Sequence, residues 1–129
     1  MLSSKHTYID KSITIAKGKD SCLLAGAVMV CKDNEIYATT SKTLEEDDPT
    51  AHAAVVAIRK TRAQQHVFLL NDYELYLSEK PCPMCLTAIE QAHIKKIYYL
   101  EYNKIKYMEL SRNVLLNAFS LREFNTKKT

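Results

Sequence analysis

The sequence predicts an α/β fold, a central mixed β-sheet covered by helices in three α/β/α layers. Three observations carry that expectation. Segments with helical spacing alternate with short apolar or alternating segments, in the order α-β-β-α-β-α-β-α. The 129 residues are 47% hydrophobic and 26% charged with only two Gly and three Pro, a composition that suits one ordered domain and leaves little for disordered linkers. Finally, two of the prolines, Pro49 and Pro81, stand where a helix would begin, the position that tolerates a missing N–H.

Each element follows in order. Residues 5–17 carry Tyr8, Ile9, Ile13 and Ala16 at helical spacing, behind Ser3 and Ser4 as caps. Residues 22–31 form an apolar run too short for a good helix and rich in Val, Leu and Met, which reads as a buried strand with Cys22 and Cys31 as small core residues. Lys32-Asp33-Asn34-Glu35 reads as a hairpin turn and Ile36–Thr40 as the returning strand. Glu45-Glu46-Asp47-Asp48 is a solvated acidic loop before a helix N-terminus. Pro49, with Asp48 or Thr50 as cap, opens a helix to about Gln65 that buries Ala53, Val56 and Ala57. Residues 72–78 alternate like a strand, Pro81 begins a helix to about Ala92, and 96–100 read as the next strand. A last helix is expected over 109–124, with 125–129 frayed. No internal repeat or boundary divides the chain, so 1–129 is expected to be a single domain.

Composition also excludes some roles. No apolar run approaches the ~20 residues of a membrane-spanning helix, and the N-terminus opens no signal-peptide core. A soluble, cytoplasmic protein with no membrane partner is expected. Eighteen Lys and Arg against fifteen Asp and Glu leave a formal charge of +3, too small an excess to imply nucleic-acid binding and no bar to an RNA substrate.

Chemistry concentrates in two segments, Asp48-Pro49-Thr50-Ala51-His52-Ala53-Ala54 and Lys80-Pro81-Cys82-Pro83-Met84-Cys85. Two sulfurs three residues apart at a helix start can point to one side, where unpaired N–H groups favour thiolates. Two thiolates and one imidazole would leave a tetrahedral Zn²⁺ with one open position, the arrangement of a catalytic site. A Cys-x-x-Cys alone could equally be a redox dithiol or half of a four-ligand structural zinc site. For the structural site no fourth ligand stands at good spacing: His6, His66 and His93 are isolated, and Cys22 and Cys31 read as strand residues.

The pair Pro49-Thr50-Ala51-His52-Ala53 and Pro81-Cys82-Pro83-Met84-Cys85 resembles the zinc-dependent cytidine/deoxycytidylate deaminase superfamily, whose signature is H-x-E…P-C-x-x-C. Residues 48–59 and 81–89 look closest to its guanine deaminase and tRNA-adenosine deaminase branch. The resemblance implies that His52, Cys82 and Cys85 hold Zn²⁺ and a water, whose lowered pKa yields a hydroxide that attacks the carbon bearing an exocyclic amine and releases ammonia. It also implies that the Ala53 N–H contacts the base and the Pro81 carbonyl receives the amino group. A nucleobase or nucleoside is the implied substrate, guanine- or adenine-type, and a homo-oligomer such as a dimer the implied assembly.

Several positions depart from that pattern. The family's general acid/base Glu falls two residues after the zinc-binding His, and here that residue is Ala54. Loss of such a proton carrier costs ~10²–10⁴ or more in rate, so the chain is expected to be inactive, whether as an otherwise normal enzyme carrying an engineered Glu-to-Ala change or as a natural non-catalytic zinc-stabilised binding or scaffold subunit. Glu45 and Glu46 lie in another loop and are not expected to replace it. Ser41 stands where the purine branch has a base-binding Asn, Lys80 where the family often has Glu, and Gly26 alone remains of a Gly-rich approach to the first strand. Phe119 and Phe124 are candidates to close over a flat base, although Phe119 also suits the core face of the last helix. An RNA-acting member would use a basic groove, for which Lys104, Lys106, Arg112, Arg122, Lys127 and Lys128 are available; their spacing also suits an ordinary solvated face.

Overall fold

The computed structural model describes residues 2–19 and 21–110. Helix α1 (Leu2–Ile15) leads through a 3₁₀ turn (Cys22–Leu24) into strands β1 (Gly26–Cys31) and β2 (Asn34–Thr40). Helix α2 (Ala53–Gln65), strand β3 (Tyr73–Leu77), helix α3 (Pro83–Gln91) and strands β4 (Lys96–Glu101) and β5 (Lys104–Glu109) follow. The five strands form one mixed sheet in the order β2-β1-β3-β4-β5. Only β3 and β4 run parallel, because α3 carries the chain across between them. The neighbouring pairs are antiparallel, with a bulge between Met29 and Val30 of β1.

The period-2 alternation of the strands builds both cores. Ala27, Met29, Leu75, Leu77, Ile97 and Tyr99 face α2 and α3, where they pack with Ala53, Ala57, Cys85 and Ile89. Val28, Val30, Tyr76 and Tyr98 point to the opposite face and pack with Ile9 of α1. The sheet is therefore covered on both sides, as the sequence predicts. Two tight hairpins punctuate it, each turning on two residues of positive φ: Lys32-Asp33 and Tyr102-Asn103.

Four expectations are corrected. The run 22–31 is not one strand: Ser21 caps a 3₁₀ turn with its side chain, and pairing starts only at Gly26. Helix α2 begins at Ala53 rather than Pro49, because Asp48 accepts hydrogen bonds from the Thr50 N–H (2.9 Å) and hydroxyl (2.6 Å), turning the chain before the helix starts. Helix α3 likewise begins at Pro83, with Cys82 as cap. Residues 104–109 form a fifth strand, and Glu109 ends it instead of opening a helix. The remainder of the expected last helix, with Phe119, Phe124, Arg112, Arg122, Lys127 and Lys128, lies outside the described residues. Among the described residues no helix is long and apolar enough to cross a membrane.

Candidate metal centre

His52 and Cys82 are the N-caps of α2 and α3, and Cys85 sits in the first turn of α3. Neither cap is accidental. Pro81 and Pro83 hold the chain extended around Cys82, whose sulfur accepts from the Cys85 N–H at 3.5 Å. His52 is fixed by its backbone: its N–H donates to the Thr50 carbonyl at 2.8 Å and its carbonyl accepts from the Val56 N–H at 2.9 Å. Its ring makes no capping hydrogen bond and Nδ1 lies 3.6 Å from the Cys82 sulfur and 3.4 Å from that of Cys85. Two helix N-termini thus converge on one group of donors, and their unpaired N–H groups favour thiolate there.

A fourth donor joins them. The Cys22 sulfur lies 3.5 Å from that of Cys85, 63 residues away in the chain. The ligand atoms of Cys22, His52, Cys82 and Cys85 all lie within 4.8 Å of one another. This corrects the expectation that Cys22 is a core residue of a strand. It belongs to the 3₁₀ turn, half-buried, and the turn is pinned on both sides. The Leu23 N–H donates to the Ser21 hydroxyl at 3.2 Å, and the Leu24 carbonyl accepts from the N–H groups of Lys17 (2.9 Å) and Gly18 (3.3 Å) just beyond α1. The sequence signal for the turn is Ser21 itself, a capping residue type placed directly before the apolar run. Cys31, by contrast, stays in β1 opposite Asn34 and Tyr73, where it packs against the core as the sequence predicts.

The donor set suits zinc. Metal bonds of ~2.3 Å to sulfur and ~2.0–2.1 Å to nitrogen give a tetrahedron with edges of about 3.8 Å between sulfurs and about 3.6 Å from sulfur to nitrogen. Three of the six separations, at 3.5, 3.6 and 3.4 Å, lie near those edges, and all six fall within 4.8 Å. A hydrogen bond from Cys85 is the largest influence on Cys22 and lowers its pKa, while the same bond, with burial second, pushes Cys85 up.

The other candidate residues fall around this centre. Ala53 and Ala54 open α2 and are both buried in the main core cluster. Ser41 is buried past the end of β2; its N–H donates to the Ala25 carbonyl at 3.2 Å, and the next residue, Lys42, donates to the Ala51 carbonyl at 2.9 Å. The backbone at Ser41 therefore bridges the approaches to Cys22 and His52. Pro81 is buried immediately before Cys82. Lys80 turns outward toward Glu101, at 3.9 Å. Glu45 is held by Lys17 at 2.7 Å, and Glu46 is exposed. Lys104 and Lys106 lie on the edge strand β5, where lysine also blunts edge-to-edge pairing.

The profile of the cytidine and deoxycytidylate deaminase zinc-binding region matches residues 2–101. The chain belongs to that deaminase family. Its relatives lie in the guanine deaminase and tRNA-adenosine deaminase branch. It is 36% identical over 96 residues to the guanine deaminase of Bacillus subtilis (strain 168), covering 72% of this chain and 62% of the relative. It is 35% identical over 80 residues to a tRNA-specific adenosine deaminase of Aquifex aeolicus (strain VF5), covering 61% and 52%. The crystal structure of the Bacillus subtilis guanine deaminase superposes with a TM-score of 0.66 at 36% identity, over 73% of this chain and 62% of that one. A structure from work on tRNA:A34 deaminases gives 0.57 at 36% identity, over 58% and 54%. This family member spans from about half to three-fifths of the length of those relatives. A Zn²⁺ cofactor fits both the family and the Cys/His group.

Proposed function

We propose that this chain is a zinc-holding member of the guanine/adenine deaminase branch that accommodates a nucleobase or nucleoside and, as it stands, does not hydrolyse it. The observation that carries the reading is the contrast at the start of α2. His52 meets the thiols of Cys82 and Cys85 at 3.6 and 3.4 Å, while residue 54, two positions on, is a buried alanine. Zinc held by His52, Cys82 and Cys85 alone would supply Lewis acidity through its open position. The chain's own residues supply the rest. The Ala53 N–H and the Pro81 carbonyl are backbone groups beside two of the ligands and are suited to orient a flat base. Ser41 offers a short hydroxyl in place of a carboxamide, so it makes fewer directional contacts with a base edge. Ala54 has no group that accepts or returns a proton, so neither activation of the attacking water nor protonation of the departing amine has a carrier. A homodimer in the cytoplasm is the setting proposed for it.

The test has two parts. Metal analysis of the purified, reduced protein should find one zinc per chain, and His52→Ala should lose it. Ammonia release should then be absent for the zinc-loaded chain across free bases, nucleosides and an RNA hairpin. Protein that binds no zinc, or that turns over any of those substrates, overturns the proposal. Binding of the hairpin that weakens steeply with salt would move the ligand class to RNA.

A further inference from the structure

We infer that Cys22 is the fourth ligand of the metal, so that the centre is a closed Cys₃His site in place of the open His-Cys-Cys site of a hydrolytic deaminase. The inference rests on the zinc-binding reading above and deepens it. Three features of the chain support it. The Cys22 sulfur is as close to Cys85 (3.5 Å) as a shared tetrahedral metal would place it, and all four donor atoms fall within 4.8 Å. The turn that presents Cys22 is held by the Ser21 side chain and by two backbone hydrogen bonds from the residues after α1, so the sulfur is positioned by the fold rather than by a loose loop. Finally, Cys85 is fully buried while Cys22, His52 and Cys82 are half-buried, so the four donors gather at the margin of the core.

Charge and coordination then act together. A divalent zinc with two thiolates and a neutral imidazole is neutral and keeps one position free; with three thiolates it carries a net charge of −1 and has none. Binding displaces a proton from each thiol that is not already ionised. A saturated, anionic centre holds a fold together and offers no place for a reacting water. The buried Ala54 agrees with this, because a proton carrier has no use beside a metal that binds no water. Cys22 and Ala54, far apart in the sequence, thus bear on the same metal position.

X-ray absorption on the unmodified, reduced, zinc-loaded protein counts the ligands directly. Three sulfurs and one nitrogen are expected; two sulfurs with two nitrogen or oxygen neighbours would overturn the inference while leaving zinc binding intact. Cobalt substitution gives an independent reading. The thiolate-to-cobalt bands of a tetrahedral site should fall by about one third in Cys22→Ala, from three Co–S bonds to two, and stay unchanged in Cys31→Ala. Equal spectra for the parent and Cys22→Ala would refute the fourth ligand. Activity separates the two readings once more: Ala54→Glu alone should release no ammonia, and turnover by that single variant would show an open metal position. Failure to bind either metal would instead defeat the zinc-binding reading on which the inference stands.

Discussion

Gly26 opens β1 just after the turn carrying Cys22 and packs against α1, and its replacement by alanine tests that packing. A Cβ at Gly26 would lie 2.1 Å from the Ser12 carbonyl oxygen, 2.9 Å from Ile15 Cγ1 and 3.1 Å from the Ser12 carbonyl carbon. The Ser12 atoms are helix backbone and cannot rotate away; only the Ile15 side chain can give. Nor is the strand free to retreat. The Gly26 N–H donates to the Ser78 hydroxyl at 2.9 Å, its carbonyl accepts from the Ser78 N–H at 3.1 Å, and it pairs with Thr40 across the hairpin. The reduced entropy of the unfolded chain would favour alanine by ~0.4–1 kcal/mol, but overpacking costs ~1–3 kcal/mol and more where backbone must move. A net loss of about 2–3 kcal/mol is expected. With a urea m-value of roughly 1.5 kcal/mol/M, the midpoint of unfolding should fall by about 1.3–2 M. Because the Leu24 carbonyl hangs on Lys17 and Gly18 beyond α1, zinc should also be surrendered more readily to a chelator. Gly18→Ala is the control: its Cβ would meet the end of the Leu24 side chain at 2.7 Å, which can swing aside, so a change under ~1 kcal/mol is expected. A midpoint for Gly26→Ala within ~0.5 M of the parent would refute the argument.

Two further outcomes are expected. Ile97→Ala should lower stability by ~2–5 kcal/mol in the same urea assay, since Ile97 is fully buried between the central sheet and α3; a loss below ~1 kcal/mol would mean that the core there is not closed. The Asp48 carboxyl should titrate below its ordinary value of 3.8, chiefly because the Thr50 hydroxyl and then the Thr50 N–H donate to it. A folded-state pKa below the unfolded one means that the turn's contribution is present above 3.8 and is lost as pH falls through the lowered value. Carboxyl NMR should show this midpoint rising toward 3.8 in Thr50→Ala, and an unchanged midpoint would discount the hydroxyl.

Much of the centre is legible in the chain itself. Cys82 and Cys85 are three residues apart with prolines at 81 and 83, and that spacing reads as paired sulfurs at a helix start because proline disfavours helix before it and suits the first turn within it. His52 is legible by the same motif, and so is the alanine two residues on. The hairpin at Lys32-Asp33 is announced by polar turn residues between two β-prone runs. Boundaries fared less well. Pro49 looks like a helix start, yet the Asp48–Thr50 hydrogen bonds spend three more residues on a turn before Ala53. Residues 104–109 carry Ile, Tyr and Met among charges, and only their pairing with β4 makes them a strand.

Local order thus determined the alternation of helices and strands, the two helix starts that bear His52 and the Cys82–Cys85 pair, and the absence of a carboxylate at residue 54. These depend on side-chain period, proline geometry and capping, which act over a few residues. Tertiary structure alone decided the fate of Cys22. In the sequence it opens an apolar run indistinguishable from a buried strand. In the fold, the end of α1 fastens the Leu24 carbonyl, Ser21 caps the turn, and antiparallel pairing of β1 with β3 brings that turn beside α3. The Cys22–Cys85 contact spans 63 residues, and no local preference encodes a separation of that length. It is set by which strands pair and by how α1 closes over the sheet.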